Sequence, residues 1–213
     1  MSNNNPIEDL QEIRKLMEDS SKFLSLSGLS GVFAGLIALA GAWLAHYQIQ
    51  VFGKRALHYS ATGEFDDRLY QLDLTLMGIA AGVLVLAIGF GILFTAIKAK
   101  KQGQKLVSPL GYRVVRSLLT PLLFGGVFII GLYINNQFYV IAPAMLIFYG
   151  MALLNVSKYL TVEIKYLALC EMALGAYLAL FPGMGLILWA VGFGVLHIIY
   201  GAIMYFRYDY KKA

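Results

Sequence analysis

Two ionisable residues lie inside apolar segments long enough to cross a membrane. Glu171 is near the middle of residues 164–181, and His197 lies in the next such segment, residues 184–206. An ionisable group at the centre of a membrane helix costs at least about 2.5 kcal/mol, so it normally faces a partner or a cavity. Because histidine titrates near neutral pH, this pair is a candidate for carrying a proton or for sensing acidification.

The turn at Pro182-Gly183 sets the depth of both residues. Glu171 lies 11 residues before Pro182, and His197 lies 14 residues after Gly183. At a rise of 1.5 Å per residue, their Cα atoms are about 16 and 21 Å from the turn. Helices joined by so tight a turn pack together, so the two side chains are predicted to meet in a hydrogen bond or ion pair.

Two tyrosines extend this candidate site. Tyr149 falls near the middle of residues 138–156, and Tyr200 follows His197 by three positions on a similar helix face. Three interpretations are open: a buried polar contact that fixes helix register, a proton or solute site, and no contact if the helices are rotated apart. Interhelical polar contacts average about 0.6 kcal/mol and need no further function. A hydrated cavity would favour transport, and a dry closed bundle would favour a structural role.

Enzymatic chemistry is not indicated. A membrane haem needs two axial ligands at matched depth, but His46 and His58 lie far from the depth of His197. No His-Glu-x-x-His cluster and no nucleophile beside a base is present. The sequence therefore predicts a non-enzymatic protein without a metal or a cofactor.

The elements that hold these residues are predicted to be membrane helices. Hydrophobic residues make up 59% of the 213 residues and charged residues 14%, against roughly 25% charge in soluble domains. Continuous apolar runs favour helices over a barrel. The prediction is an all-α, polytopic bundle of hairpins spanning residues 24–206, with six transmembrane helices at residues 24–47, 72–97, 114–134, 138–156, 164–181 and 184–206.

Positive charge predicts the orientation. Fourteen of the 17 Lys and Arg residues fall on one side of these six spans, and the other three are Lys54, Arg55 and Arg68. Positively charged loops are retained in the cytoplasm, so both termini are predicted to be cytoplasmic in a bacterial inner membrane. The net charge of +5 indicates contact with the lipid bilayer, and no nucleic-acid partner is expected.

Two polar segments lie outside the spans. Residues 1–23 form a leader in which residues 6–21 show apolar positions every three or four residues, so an amphipathic helix is predicted that could dock on a cytoplasmic protein. Residues 48–69 are predicted to be a long extracytoplasmic loop, and residues 207–213 form a cytoplasmic tail.

Glycines predict where helices approach each other. Small residues four positions apart let backbones pack closely in lipid. The pairs Gly31 and Gly35, Gly78 and Gly82, and the nearby Gly192 and Gly194 are therefore predicted to lie at helix contacts, within one bundle or in a homo-oligomer.

An internal repeat links the second and sixth segments. Residues 87–93, Ala-Ile-Gly-Phe-Gly-Ile-Leu, match residues 190–196, Ala-Val-Gly-Phe-Gly-Val-Leu. Both copies would run in the same direction, as in a parallel duplication of a hairpin rather than an inverted one.

The last hairpin resembles a known repeat. Residues 171–175 (Glu-Met-Ala-Leu-Gly), 181–183 (Phe-Pro-Gly) and 192–196, with Gly201, are similar to the Gly-rich hairpin of the HdeD-like acid-resistance membrane proteins. The whole chain also resembles a group of uncharacterised bacterial six-span membrane proteins. These resemblances imply a six-helix architecture and a role in stress or acid tolerance.

Two classes of function follow. The first is a non-enzymatic structural, stress-related or partner-binding component of the membrane. The alternative is a small transporter, channel or proton-responsive protein that uses Glu171 and His197. The single central ionisable pair in six spans favours the first class.

Overall fold

The fold is all-helical over the part of the chain that the computed structural model describes, residues 27–101 and 109–210. Six long helices follow one another there, without a strand: α1 (Gly28–Thr62), α2 (Phe65–Lys101), α3 (Pro109–Ile134), α4 (Phe138–Val156), α5 (Val162–Leu180) and α6 (Gly185–Asp209). The predicted helical fold class is confirmed. The predicted amphipathic helix at residues 6–21 lies outside the described residues.

Five of the six helices are long and apolar enough to cross a membrane, and α5 is the one that is not. Its 19 residues are long enough to cross, but they include three ionisable residues, Glu163, Lys165 and Glu171. It nevertheless packs along α4 and reaches α6. The protein is therefore a membrane-embedded helical bundle, and six crossings remain a prediction.

Residues 48–69, predicted to be an extracytoplasmic loop, are not a loop in the structure, because most of this segment is helical. The first helix runs on to Thr62 and the second begins at Phe65. Gly63 closes the turn between them in a left-handed conformation (φ 76°), and its N–H donates to the carbonyl of Tyr59. At 35 and 37 residues, these helices are about 50 Å long and extend beyond a hydrocarbon core of about 30 Å. The polar residues therefore mark helix outside the lipid rather than irregular backbone.

The core lies between α1, α4, α5 and α6, with α2 and α3 at the periphery. In the most apolar stretch of each helix, 39% of α4 but none of α2 is buried inside the bundle. The closest backbone contact joins α1 to α6. A Cβ built on Gly35 would lie 2.5 Å from the carbonyl oxygen of Gly194, and one built on Gly31 would lie 3.0 Å from the Cα of Gly201.

Gly78 and Gly82 make no helix contact within the described bundle, since nothing lies within 4 Å of a Cβ built at either position. For these two glycines of α2, contact in a homo-oligomer stays a prediction. The pair on α1 has the same spacing but faces α6. The difference arises because α1 is sandwiched between two helices, whereas α2 packs chiefly against α1.

Side-chain hydrogen bonds fix two further contacts. Pro121 has no N–H to donate to the carbonyl of Ser117, one turn earlier in α3. The Asn155 side chain on α4 donates to that carbonyl over 2.8 Å and so joins the two helices.

At one end of the bundle, which we call the Asp209 end, Lys98 Nζ lies 2.6 Å from Asp209 Oδ1. The Gly28 N–H donates to Asp209 Oδ2 over 2.9 Å. We call these three residues the Asp209 clamp, and it holds the start of α1 and the ends of α2 and α6 together.

Candidate functional site

The Glu171 side chain is enclosed between three helices. It projects from α5 and is 0% exposed. Leu146 of α4 and Gly192 of α6 are its close neighbours. A Cβ built on Gly192 would lie 2.6 Å from both Glu171 Oε2 and Leu146 Cδ2. Only glycine at position 192 therefore leaves room for the carboxyl group.

His197 lies beside this carboxyl on α6. Its Nδ1 is 3.0 Å from the carbonyl oxygen of Gly192 and 3.5 Å from Glu171 Oε1. A carbonyl oxygen only accepts, so the hydrogen-bond network assigns a proton to Nδ1. That N–H donates to Gly192 and has the Glu171 carboxyl as its second neighbour.

Tyr149 of α4 completes a chain of three groups. Its Oη is 2.7 Å from His197 Nε2. In a neutral imidazole with the proton on Nδ1, Nε2 accepts this hydrogen bond from the tyrosine hydroxyl. The tyrosine ring also packs against the rings of His197 and Phe193, with centroids 5.3 and 4.9 Å away. Three helices thus converge on one imidazole.

The backbone of α6 is locally widened at this point. Residues Val191–Leu196 form a π-helical turn, in which hydrogen bonds span five residues instead of four. The His197 ring donates to the carbonyl of Gly192, the residue five positions before it. Such turns occur frequently at functional sites.

The carboxyl group itself has no hydrogen bond. Among the described residues, neither Glu171 Oε1 nor Oε2 has a hydrogen-bond partner. Buried polar groups in folded proteins are nearly always paired, and a charge at membrane depth costs free energy unless it is matched. The pair can exist as a carboxylate with an imidazolium or as two neutral groups, and these two forms contain the same number of protons. Adding one proton gives a neutral carboxyl group beside an imidazolium. Removing one proton gives a carboxylate beside a neutral imidazole.

Tyr200 is close to this chain but is not hydrogen-bonded to it. Its hydroxyl is buried and lies close to the hydroxyl of Thr161, without a well-aligned hydrogen bond. One edge of its ring lies 3.3 Å from a Cβ built on Gly31 of α1. Of the four residues in the predicted site, the structure brings Glu171, His197 and Tyr149 into direct contact.

Other chemistry is not apparent in residues 27–101 and 109–210. No group of three His, Cys, Asp or Glu side chains there could hold a metal ion. Cys170, next to Glu171 in the chain, points outward and is exposed.

Two features of the structure were not predicted from the sequence. The carbonyl of Gly192 is a hydrogen-bond partner of His197, whereas its sequence neighbourhood indicated helix packing alone. The Asp209 clamp was also missed. Its signal is an acidic residue, Asp209, placed among the basic residues that follow the last span.

No family model, curated protein or solved structure matches this chain.

Proposed function

We propose that this protein is a non-enzymatic membrane component whose helix packing responds to protonation at the Glu171–His197–Tyr149 site. The observation that carries this proposal is the Glu171 carboxyl, fully buried and 3.5 Å from His197 Nδ1 without a hydrogen bond to either oxygen. A purely structural polar contact would be satisfied by its neighbours, because an unpaired buried group opposes the folded state.

Protonation would act through the hydrogen bonds of the imidazole. A second proton on His197 Nε2 turns this nitrogen from an acceptor into a donor, so the Tyr149 hydroxyl must rotate to find a new acceptor. The same proton gives the imidazole a positive charge beside the Glu171 carboxyl. Since Tyr149, Glu171 and His197 lie on three different helices, this change alters the contacts that hold α4, α5 and α6 together.

The closed surroundings support a responsive protein over an open channel. Glu171 is 0% exposed and His197 is 6% exposed, so water does not reach the pair in this conformation. The site therefore suits a group whose proton exchange accompanies a change in packing.

A second candidate function, a small proton transporter, is favoured by one observation. Tyr149, His197 and Glu171 form a continuous series of groups that can each exchange a proton, at distances of 2.7 and 3.5 Å. If the bundle opened alternately to both sides, this series would carry protons.

The location belongs to the same proposal. The distribution of Lys and Arg supports a bacterial inner membrane with both termini in the cytoplasm. The leader at residues 6–21 would then face cytoplasmic partners. Homo-oligomers are also proposed, and the resemblance to HdeD-like proteins remains a prediction.

The first test is infrared difference spectroscopy of purified protein in lipid nanodiscs between about pH 8 and pH 5, a range that includes the titration of histidine. We expect a carboxyl band that changes with pH in the wild type and is missing in Glu171→Gln. The pH dependence of this band should differ from that of the wild type in His197→Ala, because the imidazole beside the carboxyl is removed. A wild-type spectrum that matches Glu171→Gln would overturn the proposal.

Proton flux separates the two candidates. Liposomes would contain wild-type protein, Glu171→Gln or His197→Ala, with empty liposomes as the control. Flux present in the wild type and lost in both variants would establish the transporter. Flux equal to that of empty liposomes, together with the infrared band, would establish a proton-responsive protein that does not conduct.

A further inference from the structure

Three polar side chains and one methionine thioether form a row along one side of α6, from the site to the Asp209 end. His197, Tyr200, Met204 and Tyr208 are spaced by three, four and four residues, which places them on one helix face. The row covers 11 residues, or about 16 Å. It begins in the buried site and ends where α6 ends.

Residues at the start of α5 accompany this row. The Thr161 hydroxyl donates to Met204 Sδ over 3.3 Å. Glu163 accepts a hydrogen bond from Tyr208 Oη over 3.1 Å and pairs with Arg207 over 2.9 Å. The Arg207 side chain is 65% exposed, so the row is in contact with solvent at the Asp209 end of the bundle.

Tyr200 lies between the two ends of the row. Its buried hydroxyl lies close to the Thr161 hydroxyl, without a well-aligned hydrogen bond. Its ring packs against the same buried apolar cluster, within residues 153–168, as the ring of Tyr149. Tyr200 therefore lies between the site and the residues at the start of α5.

The opposite direction, toward the Pro182-Gly183 turn, is apolar. Gly175 and Leu178 are the buried residues of α5 there, and Trp189 stacks on Phe193 in α6 with ring centroids 5.1 Å apart. Among the described residues of α4, α5 and α6 on this side, the ionisable side chains are Tyr139 and Tyr177, 66% and 47% exposed and turned outward.

We infer that the proton of the Glu171–His197 centre is exchanged with the Asp209 end of the bundle, through the hydroxyl of Tyr200. This inference rests on the proposed function. In the step, the Tyr200 hydroxyl gives its proton toward Tyr149 and receives one from the Thr161 side, so one O–H bond breaks as another forms and the tyrosine stays neutral. A hydronium ion in the acidified solvent at Glu163 supplies the incoming proton and is left as water.

The groups that face this route come from each packed element. They are Tyr149 on α4, Thr161 just before α5, Glu163 and Glu171 on α5, and His197, Tyr200, Tyr208 and Asp209 on α6. The contribution of α1 is the glycine surface at Gly28, Gly31 and Gly35.

The test is the rate at which the Glu171 infrared band responds to a rapid pH drop in nanodiscs. Tyr200→Phe removes only the hydroxyl and is expected to slow the response by about a hundredfold, the scale of losing one proton-transfer group, with the final amplitude unchanged. Tyr177→Phe, on the apolar side, is the matched control and should respond at the wild-type rate. Thr161→Val, which removes the next hydroxyl in the row, gives a second reading if Tyr200→Phe does not fold.

The outcomes separate this inference from the proposed function. If the Glu171 band responds as fast in Tyr200→Phe and in Thr161→Val as in the wild type, the route is overturned and the proton-responsive site stands. If the wild-type spectrum contains no band that disappears in Glu171→Gln, the proposed function is overturned, and the route with it. Slowing in Tyr200→Phe but not in Tyr177→Phe supports both.

Discussion

The two copies of the internal repeat have nearly the same sequence and opposite surroundings. In residues 87–93 of α2, nothing lies within 4 Å of a Cβ built on Gly89 or Gly91. In residues 190–196 of α6, Gly192 faces the Glu171 carboxyl and Gly194 faces Leu39 of α1. The first copy is α-helical, whereas the second contains the π-helical turn.

This difference shows that the Gly-Phe-Gly sequence does not itself make a site. The copy in α6 has a carboxyl on one neighbouring helix, a tyrosine on another and a histidine one residue after its end. The copy in α2 is followed by Phe94 and Thr95 and lies at the periphery of the bundle. Proton exchange is therefore expected at the copy in α6. The position of α2 is expected to depend on the Asp209 clamp instead of its copy of the repeat.

The largest effect should come from the contact that holds the end of α2. Asp209→Ala removes the ion pair to Lys98, whose side chain is 10% exposed, and the hydrogen bond from Gly28. Breaking a buried ion pair by removing one partner should lower the free energy of unfolding by about 3 kcal/mol. The measurement is denaturation in detergent micelles.

Glu64→Ala is the matched control for that experiment. It breaks a pair with Arg68 whose side chains are 46% and 51% exposed, and exposed pairs are worth below about 1 kcal/mol. Equal losses in the two variants would show that the Asp209 clamp does not hold α2.

The next effect compares the two copies directly. Gly192→Ala places a methyl group 2.6 Å from Glu171 Oε2 and Leu146 Cδ2, and such overpacking should cost about 2 kcal/mol. Gly89→Ala meets nothing within 4 Å and should gain up to about 0.8 kcal/mol from helix propensity. Equal changes in unfolding free energy would remove the distinction between the copies.

A smaller effect of opposite sign is expected at the carboxyl. Glu171→Met keeps a similar size and removes the two oxygens without hydrogen bonds. Replacing a buried polar group that has no hydrogen bond by an apolar group should raise the free energy of unfolding by about 1 kcal/mol. Thermal denaturation at neutral pH measures this change, and a clear loss of stability would assign Glu171 a structural role.

The smallest effect should come from Tyr149→Phe, which removes the hydrogen bond to His197 Nε2 and keeps the ring packing. Interhelical hydrogen bonds in membranes average about 0.6 kcal/mol, so a loss of that size is expected in the same denaturation experiment. Tyr139→Phe, 66% exposed on the same helix, should change stability less. A larger loss in Tyr139→Phe would contradict the assignment of the hydrogen bond.

Much of the fold could be predicted, since apolar runs of membrane length specify helices almost by themselves. The meeting of Glu171 and His197 also followed from counting residues to the Pro182-Gly183 turn. The extension of α1 and α2 into residues 48–69 could not be foreseen, because polar residues occur equally in loops and in helices outside the lipid.

Details of packing were beyond the reach of the sequence pattern. The spacing of Gly31 and Gly35 is the same as that of Gly78 and Gly82, and only the position of each helix in the bundle decides which pair makes contact. The free Glu171 oxygens depend on the rotation of α5 against α6, which hydropathy along these nearly all-apolar helices does not specify.

The central claim is that Glu171 exchanges a proton in the folded protein, and proton linkage tests it most directly. The free energy of unfolding would be measured against pH for the wild type and for Glu171→Met. We predict curves whose slopes differ over part of the range by up to about 1.4 kcal/mol per pH unit, the effect of one bound proton. Parallel curves throughout would contradict the account, because Glu171 would then bind protons equally in the folded and unfolded protein.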